Sequence, residues 1–467
     1  MNPLLQRTRR HFFRDCGIGA GKMALASLVA SQIQAGKLER HHAAKVDHVI
    51  YLFMAGGPSQ LELFDHKPSL TKWDGKPTPK EFLDGKRFAF MDTFAKETPK
   101  LLASRRKFQP YGQSGATFSD LLPHTAKVAD QLTFLRGVNT DNFNHGPAKI
   151  FLNTGSIRSG RPSMGSWISY GLGSESQELP GFVVLQSGPR GPRSGATLWS
   201  SGFLPTQHQG VPLRSAGDPI LNLSNPEGVT GDDQRRTLDL VRDLNQTHRM
   251  DTGDAEIETR IAAYEMAYRM QTSGPELIDF KQESPQTLQS YGVEMGKSSF
   301  ANNCLLARRL VERGVRFVQL YHTDWDHHFD LGKPIDDVCQ EIDQPIGALI
   351  TDLKQRGLLE RTLVVWSGEF GRTPMGEERE SGKVGRNHHI DAYTLWMAGG
   401  GLKPGFALGD TDEFGFSPTG QRIHVHDVQA TILHLLGIDH TKLTFKSQGR
   451  NFRLTDVHGS VLDKILT

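Results

Sequence analysis

Short apolar runs rich in β-branched and aromatic residues alternate along this chain with amphipathic helical patterns, an order that leaves few folds open. The runs occupy 46–53, 314–321, 362–367 and 393–398, each bounded by turn residues. Continuous runs of this length fit strands buried on both faces. Helical patterns lie at 148–153, 255–270, 301–313, 345–356 and 428–436. Alternation of this kind predicts an α/β fold, with a central, mostly parallel sheet sandwiched by helices. The segment 326–356, followed by 362–367, supplies a strand–helix–strand crossover. Between about 188 and 233 the chain turns rich in Gly, Pro, Ser and Asn, which predicts a long irregular excursion over the site. A smaller loop-rich patch is expected at 374–387.

The N-terminus has a different character. Thr8-Arg9-Arg10-His11-Phe12-Phe13-Arg14 precedes a weakly apolar, Gly- and Ala-rich stretch at 17–30. A basic region followed by a short apolar region is the order of an export leader, and the paired arginines indicate the twin-arginine route. The stretch is too short to span a bilayer, which takes about 20 apolar residues. The expectation is a signal peptide and short linker at 1–40, a single large domain at 45–467, and a periplasmic or secreted mature protein. The whole chain carries +2 and residues 1–40 carry +5, so the remainder carries −3. With no concentrated basic face, neither nucleic acid nor a membrane surface is an expected partner. Cys304 and Cys339 remain after the leader, too few for a disulfide framework.

In open α/β sheets, ligands bind beyond the carboxyl ends of the strands. After the first run, Ser59 and Glu62 match a helix capping box, and a second reading puts Glu62 or Asp65 beside a metal. After the run at 314–321 come His322, Asp324, Asp326, His327 and His328, a density that suits a divalent metal. Asp324, Asp326 and His328 share one parity, so an extended segment would aim them one way. After 362–367, Glu369 is a possible ligand and Arg372 a possible oxyanion clamp, unless the two form a structural ion pair. One of His388 and His389 is a further ligand candidate, while His424, His426 and Asp427 suit a helix cap. His145 opens a helical stretch that contains Lys149.

Several of these segments carry a resemblance. Ala55-Gly56-Gly57-Pro58-Ser59, Asn144-His145-Gly146-Pro147, Arg161-Pro162-Ser163-Met164-Gly165-Ser166-Trp167, Trp325-Asp326-His327-His328, Gly368-Glu369-Phe370-Gly371-Arg372-Thr373-Pro374, Trp396-Met397-Ala398-Gly399-Gly400-Gly401 and Gly449-Arg450-Asn451-Phe452-Arg453-Leu454-Thr455 span the chain beyond the leader. Their order resembles the alkaline phosphatase and sulfatase superfamily, and most closely its exported bacterial branch named domain of unknown function 1501. The resemblance implies an alkaline phosphatase-like fold, a nucleophile at a helix start and divalent metals at strand ends. It places His145 at the nucleophile position and Lys149 at that of a sulfatase arginine. With neither Cys nor Ser at His145, formylglycine chemistry is excluded on that alignment, and no Ser or Thr supplies an alkoxide. His145 is then nucleophile, metal ligand or proton donor. Glu369-Phe370 stands where active members carry Asp-His, and 53–56 lacks the expected Asp, so one metal is implied more clearly than two. Asp326, His328 and His388 are the implied metal set, with Asp324 the alternative carboxylate and Glu369 in support. Zn, Ca, Mg and Mn are not distinguished.

The function expected from these residues is an exported metal-dependent hydrolase of sulfate or phosphate esters, whose substrate is a small molecule or a polysaccharide. Lys149 and Arg372 would neutralise the transferred group. The alternative is a superfamily member that has lost catalysis and binds a glycan or a protein.

Overall fold

The computed structural model describes residues 39–89, 98–217, 225, 228–254 and 256–467. The expected leader lies almost wholly outside the described residues. In chain order, the elements that frame the site begin with strands β1 (His48–Met54) and β2 (Leu132–Asn139), then helices α1 (His145–Thr154) and α2 (Met164–Leu172). Strands β3 (Phe182–Ser187) and β4 (Val211–Leu213) precede helices α3 (Gly231–Thr252), α4 (Glu256–Ile278) and α5 (Phe300–Glu312). Then come β5 (Phe317–His322), α6 (Lys333–Gln355), β6 (Thr362–Ser367), β7 (Gly371–Glu380) and β8 (Lys383–His389). The chain closes with β9 (Tyr393–Ala398), β10 (Ala407–Leu408), β11 (Ile423–His424) and α7 (Val425–Leu435).

Nine strands form one sheet in the order β10-β2-β9-β6-β1-β5-β3-β4, with β11 also paired to β2. Strand β9 is antiparallel to both its neighbours, and the other pairings are parallel. Alternate residues of each central strand enter separate cores. Val49, Tyr51 and Phe53 pack with α1, α2 and α7 on one face, while Ile50, Leu52 and Met54 pack with α5 and α6 on the other. Each large side chain so buried contributes roughly 1.5–3 kcal/mol, and burial on both faces makes the sheet a stiff platform. The predicted α/β sandwich is therefore the observed one.

Register decides where the site can lie. Met54 stands opposite His322, Phe53 opposite Ser367, and Ser187 opposite His322. The carboxyl ends of β1, β3, β5 and β6 thus finish flush, and their following loops share one edge.

Four local expectations differ from the structure. The patch at 374–387 is a β-hairpin, turned at Gly382 with φ 77°. Its glycines read as loop punctuation, yet Gly385 serves a close approach, because a Cβ there would lie 2.1 Å from the His328 backbone. The helix expected at 345–356 starts earlier, at Lys333, and carries Pro345 in its interior. The excursion at 188–233 contributes β4 to the sheet edge. Finally, the helix after β1 spans only Gln60–Leu63, and Ser59 makes no side-chain capping bond. Glu62 is instead buried against Arg386, whose Nε and Nη2 donate to Glu62 Oε1 at 3.0 and 2.8 Å.

Candidate metal centre

Helix α1 begins at His145 because Asn144 caps it, accepting from the Gly146 amide. This puts the His145 ring above the edge where β5 and β6 end. The loop after β5 carries Asp326 and His328, and β8 of the hairpin carries His388. One ligand atom from each of His145, Asp326, His328 and His388 lies within 4.8 Å of every other.

The hydrogen bonds behind these rings fix what they present. His145 Nδ1 is 2.7 Å from Glu369 Oε1, His328 Nδ1 is 2.6 Å from Glu377 Oε2, and His388 Nδ1 is 2.6 Å from the Phe143 carbonyl. An acceptor at Nδ1 places the proton there and leaves a lone pair at Nε2. All three Nε2 atoms turn toward Asp326. His145 Nε2 is 3.1 Å from Oδ2, while His328 and His388 Nε2 are 3.0 and 3.3 Å from Oδ1. Three imidazole lone pairs and one carboxylate converging on a point, each ring backed by an acceptor, is the donor set and outer shell of a divalent metal site. The residues fit such an ion.

The same groups also act on one another. Burial raises the Asp326 carboxyl, but contacts from His145, His328 and His388 and the Arg372 charge outweigh it and hold the group far below the carboxylate range. Burial drives His388 down to about 4, against the pull of Asp326. For His145, burial lowers the ring, and the bonds to Asp326 and Glu369 prevail to raise it. Glu369 is fully buried; burial raises it, and the His145 bond, Lys149 and the Gly56 amide bring it below its usual value.

The remaining predicted site residues fall in distinct places. Glu369 sits behind His145, taking the Gly56 amide on both oxygens at 3.1 Å. Arg372 sits behind Asp326, donating to Oδ1 at 2.6 Å, to the Gly57 and Arg386 carbonyls at 2.7 and 2.9 Å, and to Gly56 O. Its fork is committed to the protein, and no Glu369–Arg372 pair forms. Asp324 is not among the four clustered groups. Its backbone is left-handed, with φ 72°, which ends the extended parity and turns the side chain to Arg190 at 3.2 Å. Lys149 is buried on α1, its amine lowered chiefly by burial.

Above the cluster opens a cleft of about 340 Å³, walled by His145, Lys149, Arg190, Arg193, Asp326 and His327 among others. Its lining sets three basic side chains, Lys149, Arg190 and Arg193, beside three carboxylates, Asp324, Asp326 and Asp330, and Arg190 is paired with Asp324. Arg190 and Arg193 come from the irregular excursion, and no spacing signal marked them. Glu377 was missed because it lies in the patch expected to be loop.

Residues 46–466 match the family described as "Protein of unknown function (DUF1501)". The chain belongs to the DUF1501 family. No curated protein matches this DUF1501 chain in sequence. Among solved structures, it is similar to the sulfatase PsFucS1 from Pseudoalteromonas sp., at 14% identity and TM-score 0.33, over 90% of this chain and 71% of that one. It is also similar to the phosphonate monoester hydrolase SpPMH from Silicibacter pomeroyi, at 13% identity and TM-score 0.34, over 84% and 73%. The alkaline phosphatase from the Antarctic bacterium TAB5 is 9% identical with TM-score 0.31, over 84% and 98%. Among the described residues of this DUF1501 protein, no helix is long and apolar enough to cross a membrane.

Proposed function

We propose that this DUF1501 protein is an exported, metal-dependent hydrolase of sulfate or phosphate esters. One observation carries the reading: three Nδ1-backed imidazoles and Asp326 converge beside a cleft that His145 and Asp326 line together with Lys149, Arg190 and Arg193. The arginine pair and apolar stretch at the N-terminus support export by the twin-arginine route.

His145, Asp326, His328 and His388 would hold the ion, with Glu369, Glu377 and Arg372 fixing their orientation. When bound, a divalent ion there supplies Lewis-acid polarisation of the ester oxygens. The chain's own groups do the rest. Lys149 and the two arginines bind the anionic head and offset charge that grows on its oxygens. Thr323, the only hydroxyl-bearing residue lining this cleft among the described residues, donates its hydroxyl to the Arg190 carbonyl at 2.8 Å and is not free to attack. Water is therefore the nucleophile: its oxygen bonds to sulfur or phosphorus, the ester bond breaks, and the alcohol leaves carrying a proton. His145, committed to Glu369 and Asp326, is a ligand on this reading rather than the nucleophile.

The same commitment of His145 favours a second reading, a member that has lost catalysis and keeps binding. Chelation separates the two, since turnover should vanish while affinity for an anionic ester survives in a binder. The deciding experiment measures metal content of the purified protein and hydrolysis of 4-nitrophenyl sulfate and phosphate, with and without chelator. Absence of bound divalent metal sinks the enzyme reading, as does hydrolysis unchanged in a His145→Ala, His388→Ala double variant.

A further inference from the structure

A second cleft, of about 920 Å³, adjoins the first and shares Thr323, Asp324 and Pro334 with it. Its other walls come from Gly188 and Pro189 of the excursion, the segment 291–301 and the first turns of α6. The two clefts therefore form one groove, crossed at Asp324, where the left-handed backbone and the Arg190 pair narrow it.

Basic side chains are confined to one end of the groove. The first cleft has Lys149, Arg190 and Arg193; the second has neither Lys nor Arg among its lining residues. It presents Glu294, Asp337, Gln340, Glu341, Gln344 and two serines. Two of its carboxylates are paired with lysines, Glu294 with Lys297 and Asp337 with Lys333 at 2.5 Å, and Glu341 accepts from His322 Nε2 at 2.7 Å. A wall of partnered carboxylates, carboxamides and hydroxyls offers many hydrogen-bond acceptors and donors and no basic side chain. A polyhydroxylated, uncharged chain matches that chemistry. A polyanion does not, because no cation on the lining faces it.

We infer that the second cleft binds the alcohol side of the substrate, and that this alcohol is a neutral oligosaccharide bearing one anionic ester at the metal-centre end. The inference rests on the ester-hydrolase reading for its orientation, but the sugar subsite is testable by binding alone. Its size suits more than one sugar ring, since pockets for drug-sized ligands span about 300–1,000 Å³.

The test uses the purified full chain and tetrasaccharides of galactose, mannose and glucose, each carrying no, one or four sulfate groups. Binding is measured calorimetrically, and 4-nitrophenyl sulfate reports the reaction without a sugar. The plug variant Gln340→Trp, on α6, and a second plug on the opposite wall, Ser298→Trp, fill the cleft away from the metal-centre residues. The expected result is that singly sulfated tetrasaccharide binds best, that at least one folded plug variant weakens it tenfold or more, and that aryl sulfate turnover stays within twofold. The inference is overturned if no tetrasaccharide binds, if both plugs leave affinity unchanged, or if the tetrasulfated chain binds as well as the singly sulfated one. Failure to hydrolyse aryl esters would instead strike the hydrolase reading and leave the binding result standing.

Discussion

The Nε2 atoms of His328 and His388 face each other at 2.8 Å, with Asp326 Oδ1 beside both. Because Glu377 and the Phe143 carbonyl accept at the two Nδ1 atoms, two Nε2 lone pairs and a carboxylate face one another, with the Arg372 fork behind Asp326. Such a cluster is repulsive by itself and asks for a cation at its centre. His388→Ala should therefore strip divalent metal from the purified protein, from near one equivalent to below a tenth. Elemental analysis of wild type and variant checks this, and equal metal in both would remove His388 from the centre.

Glu377 touches no cleft, but it orients the His328 ring and fixes its tautomer. Outer partners of this kind typically contribute 10–100-fold in metal affinity. Glu377→Gln should weaken metal binding by about that factor in a chelator competition, with the thermal unfolding of the metal-free protein little changed. A dissociation constant within twofold of wild type would show the contact to be incidental.

The buried pair Glu62–Arg386 ties the segment after β1 to the hairpin that carries His388. Removing one member leaves an uncompensated buried charge, which costs about 3–5 kcal/mol. Glu62→Gln should lower the free energy of unfolding by that much in denaturant titration. A loss below about 1 kcal/mol would mean that the Arg386 charge finds other support.

Acid should destabilise the fold before the carboxylates titrate. His208 is buried, with Nδ1 3.2 Å from Ser169 Oγ, and burial lowers it to about 4. The unfolded chain then binds the proton first as pH falls, so stability is complete above about pH 6.5 and declines between there and pH 4. His208→Gln should flatten that decline by up to about 3 kcal/mol. Unfolding curves at pH 7.5 and 4.5 for both proteins provide the measurement, and identical slopes would contradict the assignment.

The sheet was legible because its central strands are buried on both faces, so β1, β5, β6 and β9 appear as unbroken apolar runs. Asp326 and His328 stood out because they follow a strand end, His145 because it opens a helix, and His388, inside β8, only as one of a histidine pair. Asp324 lies outside the four clustered groups because spacing describes side chains only while the backbone stays extended, and its left-handed turn ends that. The hairpin was hidden because a glycine needed for close approach, Gly385, looks in sequence like a glycine needed for a turn. Arg190 and Arg193 had no signal at all: an irregular segment has no period, so its contacts arise only from the assembled fold.

The four clustered groups come from α1, the loop after β5 and a hairpin strand, from position 145 to position 388. No two neighbouring elements could grip an ion alone, so loading waits until the sheet and its hairpin have closed. Unfolded imidazoles discriminate divalent ions only by intrinsic affinity, whereas a closed site adds geometry. If the site takes an ion, the cellular compartment in which this chain finishes folding would make the first choice of it, and a chain that crosses a membrane folded would carry that choice with it.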